Sequence, residues 1–172
     1  MNYENLHTST LEKLFGTVNL KILKQHEELR IIELNDNQGI TRTLGVARFF
    51  NIHGNVLTTA HNKIVAGSLM GKTLYEANIN FEKEFLGFIN APLPHWLKTD
   101  FRSKFENGLA FYSKIFVSDD SLGDKRFLYA ELLEIIPKEL EDAFVKRIIP
   151  ANSNQNEALS LMLHANLETI KI

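Results

Sequence analysis

Apolar positions in this chain come in short runs broken by glycine, asparagine and proline, and the longest such region, Leu44 to Gly71, reads LGVARFFNIHGNVLTTAHNKIVAGSLMG. A β-branched and aromatic run stops at Gly54 and resumes at Val56-Leu57, which predicts two long strands folded back over a His53-Gly54-Asn55 turn. Upstream, a short helix is expected over Thr10–Phe15, with Ser9 or Thr10 as cap and Gly16 as terminator. Strands are expected at Val18–Lys24 and Leu29–Leu34, with a turn at Asn35–Gly39. Leu69, Leu74, Ala77, Phe81, Phe85 and Leu86 fall at roughly helical spacing and predict a helix from Leu69 to about Leu86. Ala91-Pro92-Leu93-Pro94 reads as a loop, because each proline lacks a donor and restricts the residue before it, and a short helix near Leu97–Phe105 follows.

A second hairpin opens at Asn107-Gly108, with Leu109–Val117 and Arg126–Ile136 as strands and Ser118–Lys125 as the polar turn between them. Pro137 then starts an amphipathic helix carrying Leu140, Phe144 and Ile148, and after a polar linker at Ala151–Asn156 a last helix repeats Leu159, Met162, Leu163, Leu167 and Ile170. Hairpins with helices at both ends, and no regular strand–helix–strand alternation, predict an α+β fold on an antiparallel sheet.

Composition narrows the chemistry. At 172 residues, 44% hydrophobic, the chain has the size of one domain with a real core and room for a pocket. Its formal charge of −2, with acids and bases interspersed, offers neither a basic stripe for nucleic acid nor a polybasic segment for a membrane surface. No apolar run reaches membrane-spanning length, and the start MNYENLHTST is too polar for a signal peptide, so a cytoplasmic protein is expected. With zero cysteines, disulfides, thiolate metal sites and a cysteine nucleophile drop out. His7, His26, His53, His61, His95 and His164 form no metal-ligand spacing, and Gly67–Thr73 lacks the spacing of a phosphate loop, which leaves Ser68 as a helix cap. His61 reads as a strand histidine, either hydrogen-bonded in place or lining a pocket as a proton carrier.

The candidate site rests on charges placed inside apolar strands. Arg48 shares a face with Val46, Phe50 and Ile52, and a guanidinium stays charged, so on a buried face it needs an anion. Glu131 shares its face with Tyr129, Leu133 and Ile135, while Glu134 lies on the opposite one with Leu132 and Ile136; period two alone leaves open which is buried. Either Arg48 and a glutamate grip a small molecule with a carboxylate at one end and a hydroxyl at the other, or Arg48 and Glu131 form an ion pair in the core, the simpler reading on spacing alone.

Arg48 followed by a strand, a glycine turn, an ending at Ile64-Val65 and then Ser68-Leu69 resembles the hairpin of the chorismate lyases. Asn107-Gly108-Leu109 and the segment Leu128–Pro137 are similar to that family's closing hairpin, and Ser9-Thr10-Leu11 up to Gly16 to its first helix; the likeness covers about Ser9–Leu140. It departs from the family pattern at Ala66, where a proline is usual, and at Pro94, where a flap glycine is usual. The resemblance implies a chorismate lyase-like antiparallel α+β domain over residues 1–149; residues 150–172 form a C-terminal helical extension beyond the family's usual core, expected to pack on the domain because a solitary short helix is marginal in water. It implies elimination of pyruvate from chorismate to give 4-hydroxybenzoate without cofactor or metal, with Arg48 on the carboxylate and Glu131 at the ring hydroxyl. Thr10, His61, Leu93 and Leu97 are then the expected further substrate contacts. The implied partner is an aromatic or cyclohexadienyl carboxylate, with no nucleic acid and no membrane insertion, and the chain is expected as a monomer, with a dimer open. Two alternatives stand beside this: a non-catalytic ligand-binding or effector module, and an enzyme of the same fold acting on a larger carboxylate of secondary metabolism.

Overall fold

The computed structural model describes residues 7–26, 28–119, 125–145 and 155–171. In chain order the elements are α1 (His7–Phe15), β1 (Asn19–Gln25), β2 (Leu29–Asn35), β3 (Thr41–Phe49), α2 (Asn55–Val65), α3 (Met70–Glu76), β4 (Asn80–Pro92), α4 (His95–Phe101), β5 (Asn107–Asp119), β6 (Lys125–Pro137), a 3-10 turn (Lys138–Leu140), α5 (Glu141–Val145), α6 (Gln155–Ala165) and a closing 3-10 turn (Leu167–Thr169). The fold is α+β. Its six strands form one sheet in the order β1-β2-β3-β6-β5-β4, every pairing antiparallel. Two three-stranded meanders thus meet along β3 and β6, with Gly45 opposite Glu134 and Arg48 opposite Glu131.

Alternation on these strands feeds two cores. One face carries Ile31, Leu44, Val46, Tyr112, Leu133 and Ile135, covered by α4 and by α6 through Ala158, Leu161 and Ala165. The C-terminal segment is tied down further by Trp96, whose indole Nε1 donates to the Leu167 carbonyl at 2.9 Å. The opposite face is covered by α1, α2 and α3, through Leu11, Leu57, Ala60, Ile64 and Leu74. Between β2 and β3, Asp36 Oδ1 accepts from the backbone of Gln38 and Ile40 while Oδ2 takes both Nε and Nη2 of Arg42, and Gly39 supplies a φ of 74°. Among the described residues no helix is long and apolar enough to cross a membrane.

Several sequence-based expectations are corrected. The second strand expected after His53-Gly54-Asn55 is helix α2: Leu57, Ala60, His61 and Ile64 recur at three and four residues and bury one side, a period that outweighs the local β-branched content. The helix expected to run to Leu86 stops at Glu76, because Asn78 takes a left-handed conformation (φ 54°), and Phe81, Lys83 and Phe85 then alternate in β4. Pro92 belongs to β4 and not to a loop, which an edge strand tolerates. Ser9 and Thr10 lie inside α1 and are buried, and Ser68 makes no cap. The helix near Leu97–Phe105 is α4, ending at Phe101 because Arg102 turns left-handed (φ 52°). Ile148 and most of the two polar linkers lie outside the described residues.

Gly108 shows how closely β5 is held. A Cβ there would come within 2.6 Å of the Ile136 carbonyl oxygen and 2.9 Å of Leu93 Cδ2. Gly108→Ala is therefore expected to lower stability by about 1–3 kcal/mol, the usual range for overpacking. Urea unfolding checks it, and an unchanged midpoint would contradict this packing.

Candidate functional site

Arg48 and Glu131 meet as the register dictates. Nε and Nη2 of Arg48 donate to Glu131 Oε2 at 3.0 and 2.6 Å, and the guanidinium lies 5.1 Å from the Phe50 ring centre. The other carboxylate oxygen accepts from the Tyr112 hydroxyl at 2.9 Å. The same hydroxyl lies 3.0 Å from Glu157 Oε2 on α6, which also takes Lys114 Nζ at 2.8 Å. A phenol has one hydrogen, so Tyr112 serves one carboxylate at a time. Burial, then the Glu131 and Glu157 carboxylates, push the Tyr112 hydroxyl well above the ordinary tyrosine range. This is a satisfied network that joins α6 to the sheet.

The cavity opens on the opposite face, and none of Arg48, Glu131, Thr10, His61, Leu93 and Leu97 lines it. Thr10 is buried in α1, and Leu93 and Leu97 belong to the core under α4. His61 sits on α2, its Nδ1 2.9 Å from the Tyr129 hydroxyl and its ring edge-on to Phe49; burial and the Arg30 charge lower its pKa.

Small residues on β3 make the cavity possible. Gly45 and Ala47 form its floor, α1 contributes His7 and Thr8, and α3 closes over them with Met70 and Leu74. Its volume is about 90 Å³. Ligand sites commonly run to ~300–1,000 Å³, whereas a cavity of ~150 Å³ already holds a benzene ring.

Two polar ends face this space. At one, Arg30 is 2% exposed. Its Nη1 donates to the Ser68 carbonyl at 3.1 Å, and Nε and Nη2 have no hydrogen-bond partner among the described residues. Burial lowers its pKa to about 10, so it remains charged at neutral pH. At the other end Lys83 Nζ donates to Glu134 Oε2 at 2.6 Å, and His7 places Nδ1 3.7 Å from that oxygen and Nε2 2.8 Å from Thr43 Oγ1. Burial pushes the Glu134 carboxyl up, but His7 and Lys83 bring it below the usual glutamate range. Burial lowers the His7 pKa to about 4, leaving the imidazole neutral. Arg30 pairs with Ala47 and Gly45 with Glu134, so the two ends lie two strands and one two-residue step apart, about 12 Å between Cα atoms.

Arg30 escaped the sequence reading although its signal matched that of Arg48: a fixed charge inside the apolar run Leu29–Leu34. Glu134 was in view, and only its face was undecided. Lys83 was hidden by the mistaken helical reading of its segment, and His7 by lying ahead of the expected helix start. Among the described residues no three potential metal ligands cluster.

The depressed His7 pKa has a stability consequence. The unfolded imidazole binds its proton near pH 6.5 and the folded one only near 4, so the unfolded state holds more protons in between, and stability falls as pH drops from about 6.5 towards 4. His61 acts in the same direction. His7→Phe is expected to flatten this fall by up to about 3 kcal/mol, measured by denaturation at pH 7.0 and 4.5; an identical pH slope in both proteins would contradict a buried neutral His7. Compared with known proteins, the chain matches no protein-family model and no curated protein.

Proposed function

We propose that the cavity binds a compact carboxylate and that the chain acts as a chorismate lyase-like enzyme, releasing pyruvate from chorismate to leave 4-hydroxybenzoate. The observation that carries this reading is Arg30: a buried guanidinium lining a largely apolar cavity, with Nε and Nη2 lacking a hydrogen-bond partner among the described residues. Leaving buried donors unmade costs about 1–3 kcal/mol, and more for a charged group, which a bound carboxylate would recover through charge-assisted hydrogen bonds. In this reading Arg30 and Glu134 take the roles that the resemblance gave to Arg48 and Glu131, since those two are hydrogen-bonded to each other and do not line the cavity. The elimination balances without a co-reactant: the ring ether C–O bond breaks, the hydrogen on the hydroxyl-bearing ring carbon passes to the enolpyruvyl methylene, and the ring becomes aromatic. The residues' part is to hold the ring carboxylate at Arg30 and orient the hydroxyl-bearing end towards Glu134.

The cavity volume favours a second reading, a binding or effector module for a single-ring carboxylate, because about 90 Å³ is closer to one ring than to chorismate. It speaks against a larger substrate.

One experiment separates these readings. Chorismate is mixed with the wild-type protein and with Arg30→Gln, Glu134→Gln, Arg48→Ala and Glu131→Gln, and pyruvate and 4-hydroxybenzoate are followed. The lyase reading expects turnover to fall at least about 100-fold in the two cavity variants and by less than about tenfold in the Arg48 and Glu131 variants. No turnover, with 4-hydroxybenzoate raising the melting temperature of wild type but not of Arg30→Gln, would establish the binding module instead. Loss of turnover only in Arg48→Ala and Glu131→Gln would return the site to the opposite face.

A further inference from the structure

We infer that Glu33, Asp100 and Trp96 form a binding site for a primary ammonium group, filled in cis by Lys171, and that this contact latches the segment Gln155–Lys171 across the sheet. Lys171 Nζ donates to both Glu33 Oε1 and Asp100 Oδ2 and lies 4.8 Å from the centre of the Trp96 ring. Three parts of the chain supply these groups. Glu33 is on β2, on the same face as Leu29 and Ile31, whereas Trp96 and Asp100 are four residues apart on α4 and share one side of that helix. Asn166, left-handed at φ 49°, follows α6 and redirects the chain, and Lys171 then reaches both elements.

Glu33 distinguishes this contact from a surface ion pair. It is 2% exposed, on the strand face whose Leu29 and Ile31 belong to the core under α4 and α6, and a carboxylate buried there needs a cation. Lys21 lies 3.4 Å from its other oxygen but is itself 59% exposed, which leaves Lys171 as the close partner. Burial opposes the charge on Lys171, and Asp100 and Glu33 outweigh it, raising the Lys171 pKa above the ordinary lysine value. Two carboxylates accept from separate N–H donors while the ring face attracts the cation, a combination that suits a primary ammonium. A quaternary ammonium keeps the attraction to the ring and has no donor for the carboxylates, so the site selects by N–H groups and not by charge alone. The Trp96 Nε1 also donates to the Leu167 carbonyl at 2.9 Å, so one indole touches both the latch and the segment it holds. Lys171 is tethered, which gives it an effective concentration on the order of millimolar at the site, and a free amine enters once that side chain is cut back.

The test uses Lys171→Ala, which removes the equivalent of a propylammonium group, and reads the melting temperature and the emission of Trp96, the single tryptophan of the chain. Lys171→Ala is expected to melt about 5 °C or more below wild type and to shift the Trp96 emission to the red. Propylammonium chloride at about 50 mM is expected to recover at least about half of both changes, and tetramethylammonium chloride or sodium chloride at the same concentration less than about a quarter. Adding Asp100→Asn to Lys171→Ala is expected to weaken the propylammonium effect at least about threefold, because one of the two acceptors is lost. If Lys171→Ala folds only when salt is added, folding with propylammonium and not with tetramethylammonium is the same supporting result. Equal recovery with all three salts would mean charge screening and would overturn the site, as would a propylammonium effect undiminished by Asp100→Asn. Melting or Trp96 emission unchanged in Lys171→Ala would overturn the latch.

Discussion

Strands β3 and β6 meet in the middle of the sheet with Gly45 opposite Glu134 and Arg48 opposite Glu131, and the two-residue repeat then sends these pairs to opposite faces. This one pairing separates a satisfied ion pair from an unsatisfied cavity. On the face carrying Arg48, Ile31, Leu44, Val46, Tyr112, Leu133 and Ile135 form a buried cluster with α4 and α6. On the face carrying Glu134, β3 presents Gly45 and Ala47 between Thr43 and Phe49, and α1 and α3 arch over the space above these two small residues. A one-residue slip of β3 against β6 would exchange the two environments.

The polar groups of the two faces differ in how their hydrogen bonds are used. Glu131 is bonded through both oxygens, and the Tyr112–Glu157–Lys114 branch carries that network out to α6. Such a network positions its members and joins α6 to the sheet. Arg30 has the reverse character, deeply buried with Nε and Nη2 unpartnered among the described residues. Groups of this kind are rare in folded proteins because they weaken the fold, and their presence in an enclosed space is a reason to look for a ligand. The Lys83–Glu134 pair adds polarity to the far end without adding net charge.

Helices α1 and α3 owe their positions to the same face. His7 reaches Thr43 on β3 and stacks on Phe144 of α5, so the first helix is pinned by contacts that also build the cavity wall. Arg30, from the sheet, holds the Ser68 carbonyl in the segment between α2 and α3. The cavity walls are thus fastened by residues that line it.

Much of the architecture was legible in the chain. Strand-like runs at Val18–Lys24, Leu29–Leu34, the first half of Leu44–Gly71, Leu109–Val117 and Arg126–Ile136 mark five of the six strands, Asn35–Gly39 marks the turn between β2 and β3, and the charged positions Arg48, Glu131 and Glu134 stand out because a charge in an apolar strand is costly without a partner. Two segments were misread because local composition and periodicity disagreed: α2 carries β-branched residues on a helical period, and β4 carries phenylalanines that mimic helical spacing until Asn78 breaks the chain. The sequence by itself determined an antiparallel α+β domain with fixed charges on its central strands, since period two and the cost of a buried charge are local properties. Which charge found a partner and which was left facing a cavity was decided only by strand register and by how the helices pack, because pairing depends on residues 83 positions apart, as in Arg48 and Glu131.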